Sequence, residues 1–179
     1  MGKLIVSTGM TVDGVIDQTD RWFIGEGEHA DQSHEQLLAT EAFVLGRETY
    51  QGLARVWPTM TDERGFADRV NALPKFVASR TLTGPLEWNA TLIDGDVAEG
   101  VRELKRRYRG YLASYGCGEL ARYLCEHGLV DEVRITVYPT VLGAGVRPFG
   151  DGPPVKLTLT GTTMYRSGVA LLTYRPEAA

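Results

Sequence analysis

Short apolar runs that break off at small or basic residues constrain this chain most. Lys3–Gly9 (KLIVSTG), Ala42–Leu45, Lys75–Ser79 and Tyr111–Ser114 are each four to seven residues long. They are too short for buried helices and read as buried strands, whose sheet must be covered on both faces. Helical spacing fills the gaps between them. Val97, Val101, Leu104 and Tyr108 mark one face of a helix over Val97–Arg107. Tyr50, Leu53 and Ala54 suit a helix from Glu48 to Val56, closed by Pro58. His34–Thr40 reads as a short helix with Ser33 as its N-cap, and Glu119–His127 as a helix stopped by Gly128. Thr11–Trp22 has no period and reads as a loop, and Thr59–Leu73 as a polar, loosely helical excursion.

Ala90–Ile93 adds a short strand, and Glu132–Tyr138 alternates charged and apolar residues before Pro139. Val155–Thr162 and Val169–Tyr174 alternate around Tyr165–Gly168, the pattern of an antiparallel ribbon. The expected fold is α/β, a single domain over residues 1–179. About eight strands form a mostly parallel sheet with an antiparallel C-terminal edge, flanked by about four helices.

Composition excludes several function classes. A formal net charge of -4 argues against nucleic acid as the main partner, and Lys105-Arg106-Arg107 reads as a solvated helix face. Cys117 and Cys125 make neither a disulfide scaffold nor a zinc pattern, and His29 and His34 stand without a third ligand, so no metal is expected. No leader and no apolar run of bilayer length is seen, so a cytoplasmic protein without membrane contact is expected.

The chemistry is concentrated where the apolar runs end. Gly46-Arg47-Glu48-Thr49-Tyr50 passes from strand to helix with almost no loop, so free N–H groups near Arg47–Thr49 face an anion. Thr49 adds a hydroxyl and Arg47 a guanidinium fork suited to phosphate. Ser79-Arg80-Thr81 repeats the device one strand later, and a second arginine points to a second phosphate. Gly116-Cys117-Gly118-Glu119 closes a third strand and opens a helix, with glycines that let backbone approach a pyrophosphate. Each segment alone also fits an ordinary tight turn or polar loop. The first strand lacks GxGxxG, so a Rossmann site is excluded and other strand ends must hold any dinucleotide.

Together these segments resemble the dihydrofolate reductase superfamily, in its bacterial branch related to the reductase domain of riboflavin biosynthesis. The resemblance spans nearly the whole chain. Val12-Asp13-Gly14-Val15-Ile16 is similar to the loop that closes over the nicotinamide, and Gly128–Glu132 with Pro139–Gly145 resembles the riboflavin-type branch. The resemblance implies NADPH as cofactor, held by Gly46, Arg47, Thr49, Ser79, Arg80, Gly116, Cys117, Gly118, Glu119 and Leu120. Cys117 replaces one of the family's consecutive glycines, which leaves open whether the Gly116–Cys117 peptide is cis.

Folate reductases carry one carboxylate on their first helix. Here the matching position falls near Ala30, with Asp31 one step away as the candidate proton donor, beside an ordered water as the alternative. Substrate contacts are expected from Asp13, Trp22, Trp57, Thr136 and Tyr138, although Asp13 also suits a loop cap and both tryptophans suit core packing. The expected activity is hydride transfer to a small polar heterocycle or a ribosylaminopyrimidine, such as 5-amino-6-(5-phosphoribosylamino)uracil. A true dihydrofolate reductase and a non-catalytic NADPH-binding module stay open as alternatives. The partners expected are the small-molecule substrate and a second copy in a homodimer, paired through the C-terminal strands or Gly143–Gly145.

Overall fold

A computed structural model describes residues 1–177 of the chain. Eight strands form one sheet: β1 (Lys3–Thr11), β2 (Thr40–Gly46), β3 (Lys75–Ala78), β4 (Ala90–Leu92), β5 (Tyr111–Tyr115), β6 (Glu132–Tyr138), β7 (Leu157–Met164) and β8 (Ala170–Pro176). Their order across the sheet is β4-β3-β2-β5-β1-β6-β8-β7. The first six are parallel, and the last two form the antiparallel edge that their alternating sequences imply.

Five α-helices cover it: α1 (Glu28–Ala39), α2 (Arg47–Val56), α3 (Phe66–Ala72), α4 (Val97–Arg107) and α5 (Glu119–Glu126). Asp96 starts α4, its carboxylate accepting the Glu99 N–H at 2.8 Å, while Lys105–Arg107 complement the negative C-terminal end. The fifth helix, α3, lies within the expected excursion. The helix expected at His34 begins nearly two turns earlier, at Glu28 with Gly27 in the N-cap position, and Ser33 is no N-cap. The Ser33 hydroxyl lies mid-helix and donates to the His29 carbonyl at 2.9 Å.

Sheet alternation sorts the core into two layers. On one face Leu4, Val6, Ala42, Val44, Leu112 and Val133 pack under Val101 of α4 and Ala121 and Leu124 of α5. On the other, Phe43, Leu45, Val77 and Ala113 pack under Leu37 of α1, Tyr50 of α2 and Val70 of α3. Each such fully buried Leu, Val or Phe contributes about 1.5–3 kcal/mol of transfer free energy.

Two lysines are buried within this frame. Lys105 Nζ donates to Asp131 Oδ2 at 2.5 Å and to the Leu129 carbonyl at 2.9 Å, tying the end of α4 to the approach to β6. Lys75, fully buried, donates to the Val70 and Asn71 carbonyls at the end of α3 and lies 4.2 Å from the Trp88 ring centre. Burial pushes its pKa down to about 8.

Candidate functional site

Because β1 to β6 run parallel, their C-terminal ends share one rim. Across it, Ser79-Arg80 follows β3, Gly46-Arg47 ends β2 and opens α2, and Gly116–Gly118 follow β5. The three segments are therefore spatial neighbours, beside the ends of β1 and β6. Their contacts join them. At Gly116, where φ is +77°, a Cβ would come within 2.5 Å of Thr49 Oγ1, so the end of β5 lies directly against the first turn of α2. A Cβ on Gly46 would meet the Leu120 side chain of α5 at 3.8 Å.

Neither α2 nor α5 has a side-chain N-cap, so their first-turn N–H groups remain available to an anion. Gly118, in extended backbone, has open space where a Cβ would stand. Arg47 is exposed and pairs with Glu48 at 3.2 Å, and Arg80 is exposed. Ser79 Oγ accepts the Thr81 and Leu82 N–H groups and so shapes the Arg80 turn. Glu119 is exposed in the first turn of α5.

Cys117 differs from its neighbours. It is fully buried, its carbonyl accepts the Phe149 N–H, and burial raises its thiol pKa to about 12, so it is inert as a nucleophile. No cis peptide occurs among the described residues, so the Gly116–Cys117 bond is trans. Arg122 of α5 reaches across to the Phe149 and Gly150 carbonyls and anchors the chain beside this turn.

The substrate candidates separate. Asp13 faces its own loop: it accepts the Thr11 hydroxyl at 2.6 Å, the Gly143 N–H at 2.7 Å and the Leu142 N–H at 3.2 Å. These hydrogen bonds hold its pKa down to about 2. It staples the loop after β1 to the Pro139–Gly145 segment, the capping role its sequence context allowed. Trp22 and Tyr138 pack together at 5.0 Å between ring centres, both almost fully buried, and Trp22 Nε1 donates to the Asp17 carbonyl. Trp57 belongs to a separate cluster, 5.6 Å from Phe66, so the two tryptophans do not wall one heterocycle.

Asp31 also falls elsewhere. It points outward from α1 and pairs with Arg64 at 2.8 Å, both side chains more than half exposed. The helix turns its other face to the sheet, so the position next to the expected alignment is on the wrong side to serve as a proton donor.

That inner face forms a polar strip with residues that the sequence did not mark. His29, Gln32, Ser33 and Gln36 of α1 lie over Ser7 of β1, Thr136 of β6 and Leu171 of β8, with Tyr165 alongside. Thr136 is the one expected substrate contact found here. His29 is buried, its Nε2 donates to the Ile24 carbonyl at 2.7 Å, and its Nδ1 has no partner. No carboxylate lines the strip. The signal that could have revealed it is the inward stripe of α1, where His29, Gln32, Ser33 and Gln36 recur at helical spacing.

No helix among the described residues is long and apolar enough to cross a membrane, and no group of three potential metal ligands gathers among them.

Comparison with known proteins agrees with this fold. The chain is 27% identical over 180 residues to the uncharacterized protein YyaP of Bacillus subtilis (strain 168), covering 96% of this chain and 94% of that one. Among solved structures, a putative riboflavin biosynthesis protein from Shewanella sp. PV-4 superimposes with a TM-score of 0.76 at 19% identity, covering 98% of this chain and 99% of that one. Dihydrofolate reductase from Enterococcus faecalis, complexed with NADP(H), follows the same fold with a TM-score of 0.61 at 14% identity, covering 98% and 96%. The family of the RibD C-terminal domain matches residues 2–171. The chain is a member of the RibD C-terminal domain family, built on the dihydrofolate-reductase-like fold.

Proposed function

We propose that this protein is an NADPH-dependent reductase acting on a small polar heterocycle. A ribosylaminopyrimidine of the 5-amino-6-(5-phosphoribosylamino)uracil type is the leading candidate. The observation that carries this reading is the rim itself. Three neighbouring strand ends bring together two uncapped helix N-termini, the open space at Gly118, and the exposed Arg47 and Arg80. The residues present fit a phosphorylated dinucleotide: N–H groups of α5 at Glu119 and Leu120 suit the pyrophosphate, and the two guanidinium groups suit the remaining phosphate.

When bound, NADPH would supply the hydride. The chain supplies position and water exclusion, worth more to such a reaction than any reactive side chain. With no carboxylate lining the polar strip, the proton for the atom next to the reduced carbon falls to an ordered water. Absence of a carboxylate there disfavours a true dihydrofolate reductase, and the alternative of a non-catalytic binding module predicts cofactor binding without turnover.

Thermal unfolding with NADPH and NADH tests the reading. At a hundredfold excess over its dissociation constant, a ligand adds about 2.7 kcal/mol, or roughly 5–10 °C for a chain of this size. A shift with NADPH well above that with NADH, lost in Arg47→Ala or Arg80→Ala, is expected. No shift with either cofactor overturns the reading.

A further inference from the structure

The polar strip beneath α1 narrows to a slot. Ser7, Gln32, Gln36, Thr136 and Tyr165 help enclose about 20 Å³. That holds one water-sized group and is too small for a heterocyclic ring. Two amides face this space, and each has its oxygen already committed. Arg134 Nη1 donates to Gln36 Oε1 at 2.9 Å, and Arg134 is itself braced by the Glu132 carboxylate. The Tyr165 hydroxyl donates to Gln32 Oε1.

With the oxygens engaged, both side chains offer their nitrogens. Gln36 Nε2 is buried and has no hydrogen-bond partner. A buried donor left in that condition carries a desolvation cost that an incoming acceptor removes.

We propose that this slot takes one exocyclic carbonyl oxygen of the substrate ring, read by Gln36 Nε2, with Arg134 as the positioning residue that fixes the amide. The ring itself lies at the mouth of the slot, which is too small to admit it. This rests on the reductase reading for where the ring sits, and it adds which rings are accepted. An uncharged ring with an oxygen at that edge completes the donor. At Gln36 Nε2 a ring with an amino or amidinium group sets donor against donor, beside the guanidinium of Arg134, and the one unpartnered buried acceptor along the slot is His29 Nδ1. The slot is thus a filter for oxo over amino heterocycles, a discrimination that buried polar groups make far more sharply than apolar pockets do.

Calorimetric titration of the full chain with 5,6-diaminouracil and 2,4,5,6-tetraaminopyrimidine tests this, because the two carry oxo against amino groups at the same two ring positions, with the ring nitrogens changing from N–H to N. The titrations are run with and without saturating NADPH. Wild type should bind the oxo ring roughly tenfold more tightly or better. Gln36→Glu, near-isosteric, exchanges the donor for an acceptor and should reverse the preference, and Gln36→Leu should bring the ratio close to one. Arg134→Lys, which keeps the charge but loses the planar fork, should lower the ratio, whereas a merely structural arginine would change the melting temperature alone.

An equal ratio in wild type and Gln36→Glu, tighter binding of the amino ring to wild type, or no binding of either ring overturns the proposal. If one variant fails to fold, the ratio in the other decides. Melting shifts with NADPH, recorded on the same samples, keep the two readings apart. A ratio that responds to Gln36 without NADPH binding upholds the slot and defeats the reductase, and NADPH binding with an unresponsive ratio does the reverse.

Discussion

Replacing Gly116 with alanine tests how the rim is held together. The residue sits at φ +77°, and its missing Cβ would lie 2.5 Å from Thr49 Oγ1 and 3.4 Å from Thr49 Cγ2. Left-handed backbone costs a residue with a Cβ about 1–2 kcal/mol. Overlap with a packed neighbour adds about 1–3 kcal/mol, since Thr49 is held in the first turn of α2. For a chain of this length each kcal/mol moves the melting temperature by about 2–4 °C, so Gly116→Ala should lower it by roughly 5–15 °C. In the double variant with Thr49→Ala the overlap vanishes, leaving only the backbone share, so the two substitutions should couple rather than add. Gly118→Ala is the control. Gly118 has φ of −97° and nothing near its Cβ, so the melting temperature should hold while the methyl group obstructs the approach of a pyrophosphate and weakens NADPH binding. A Gly116→Ala protein melting within about 1 °C of wild type, or strict additivity with Thr49→Ala, would refute this account of the junction.

Two titratable groups give further expectations. Asp13 is held down to about 2 by the Thr11 hydroxyl and the Gly143 N–H, so its contribution is present above its ordinary value near 3.8 and lost as pH falls towards 2. Asp13→Asn should speed hydrogen exchange at the Leu142 and Gly143 amides at neutral pH, and the difference from wild type should vanish in strong acid. Lys75 works in the opposite sense. Burial lowers its pKa from 10.5 to about 8, so the unfolded chain binds the proton more readily across that interval. Wild-type stability should therefore gain relative to Lys75→Met between pH 8 and pH 9.5 in urea titrations; a constant difference would rule out the lysine as the source.

Strand ends were legible because the change from apolar run to Gly or Ser is a local event. Gly46, Ser79 and Gly116 each mark the boundary within a residue or so, and the sheet then brings them together by topology alone. The start of α1 was not legible. Its first turns are polar, Gly27 supplies no capping side chain, and Ser33 imitates a cap while bonding back to His29. The slot was hidden for a related reason. Charged and apolar residues alternate along β6 without showing what covers the polar face, and that face lies under α1, where Arg134 meets Gln36. Glutamine and tyrosine carry no motif of their own, so only the packing of helix on sheet reveals them. Asp31 illustrates the converse: a carboxylate one residue out of register turns about 100° around the helix and ends in solvent.

The strand order has a kinetic consequence. β1 sits in the interior of the sheet, between β5 and β6, so Lys3 finds its neighbour Tyr111 only after about a hundred residues have intervened. β1 is therefore made well before its partners, and its apolar Leu4, Ile5 and Val6 stay unsheltered until β5 and β6 arrive. Loop closure over that span must be met before any pairing rewards it. Refolding should belong to the slow, non-local class, with aggregation through the β1 segment as its main competitor.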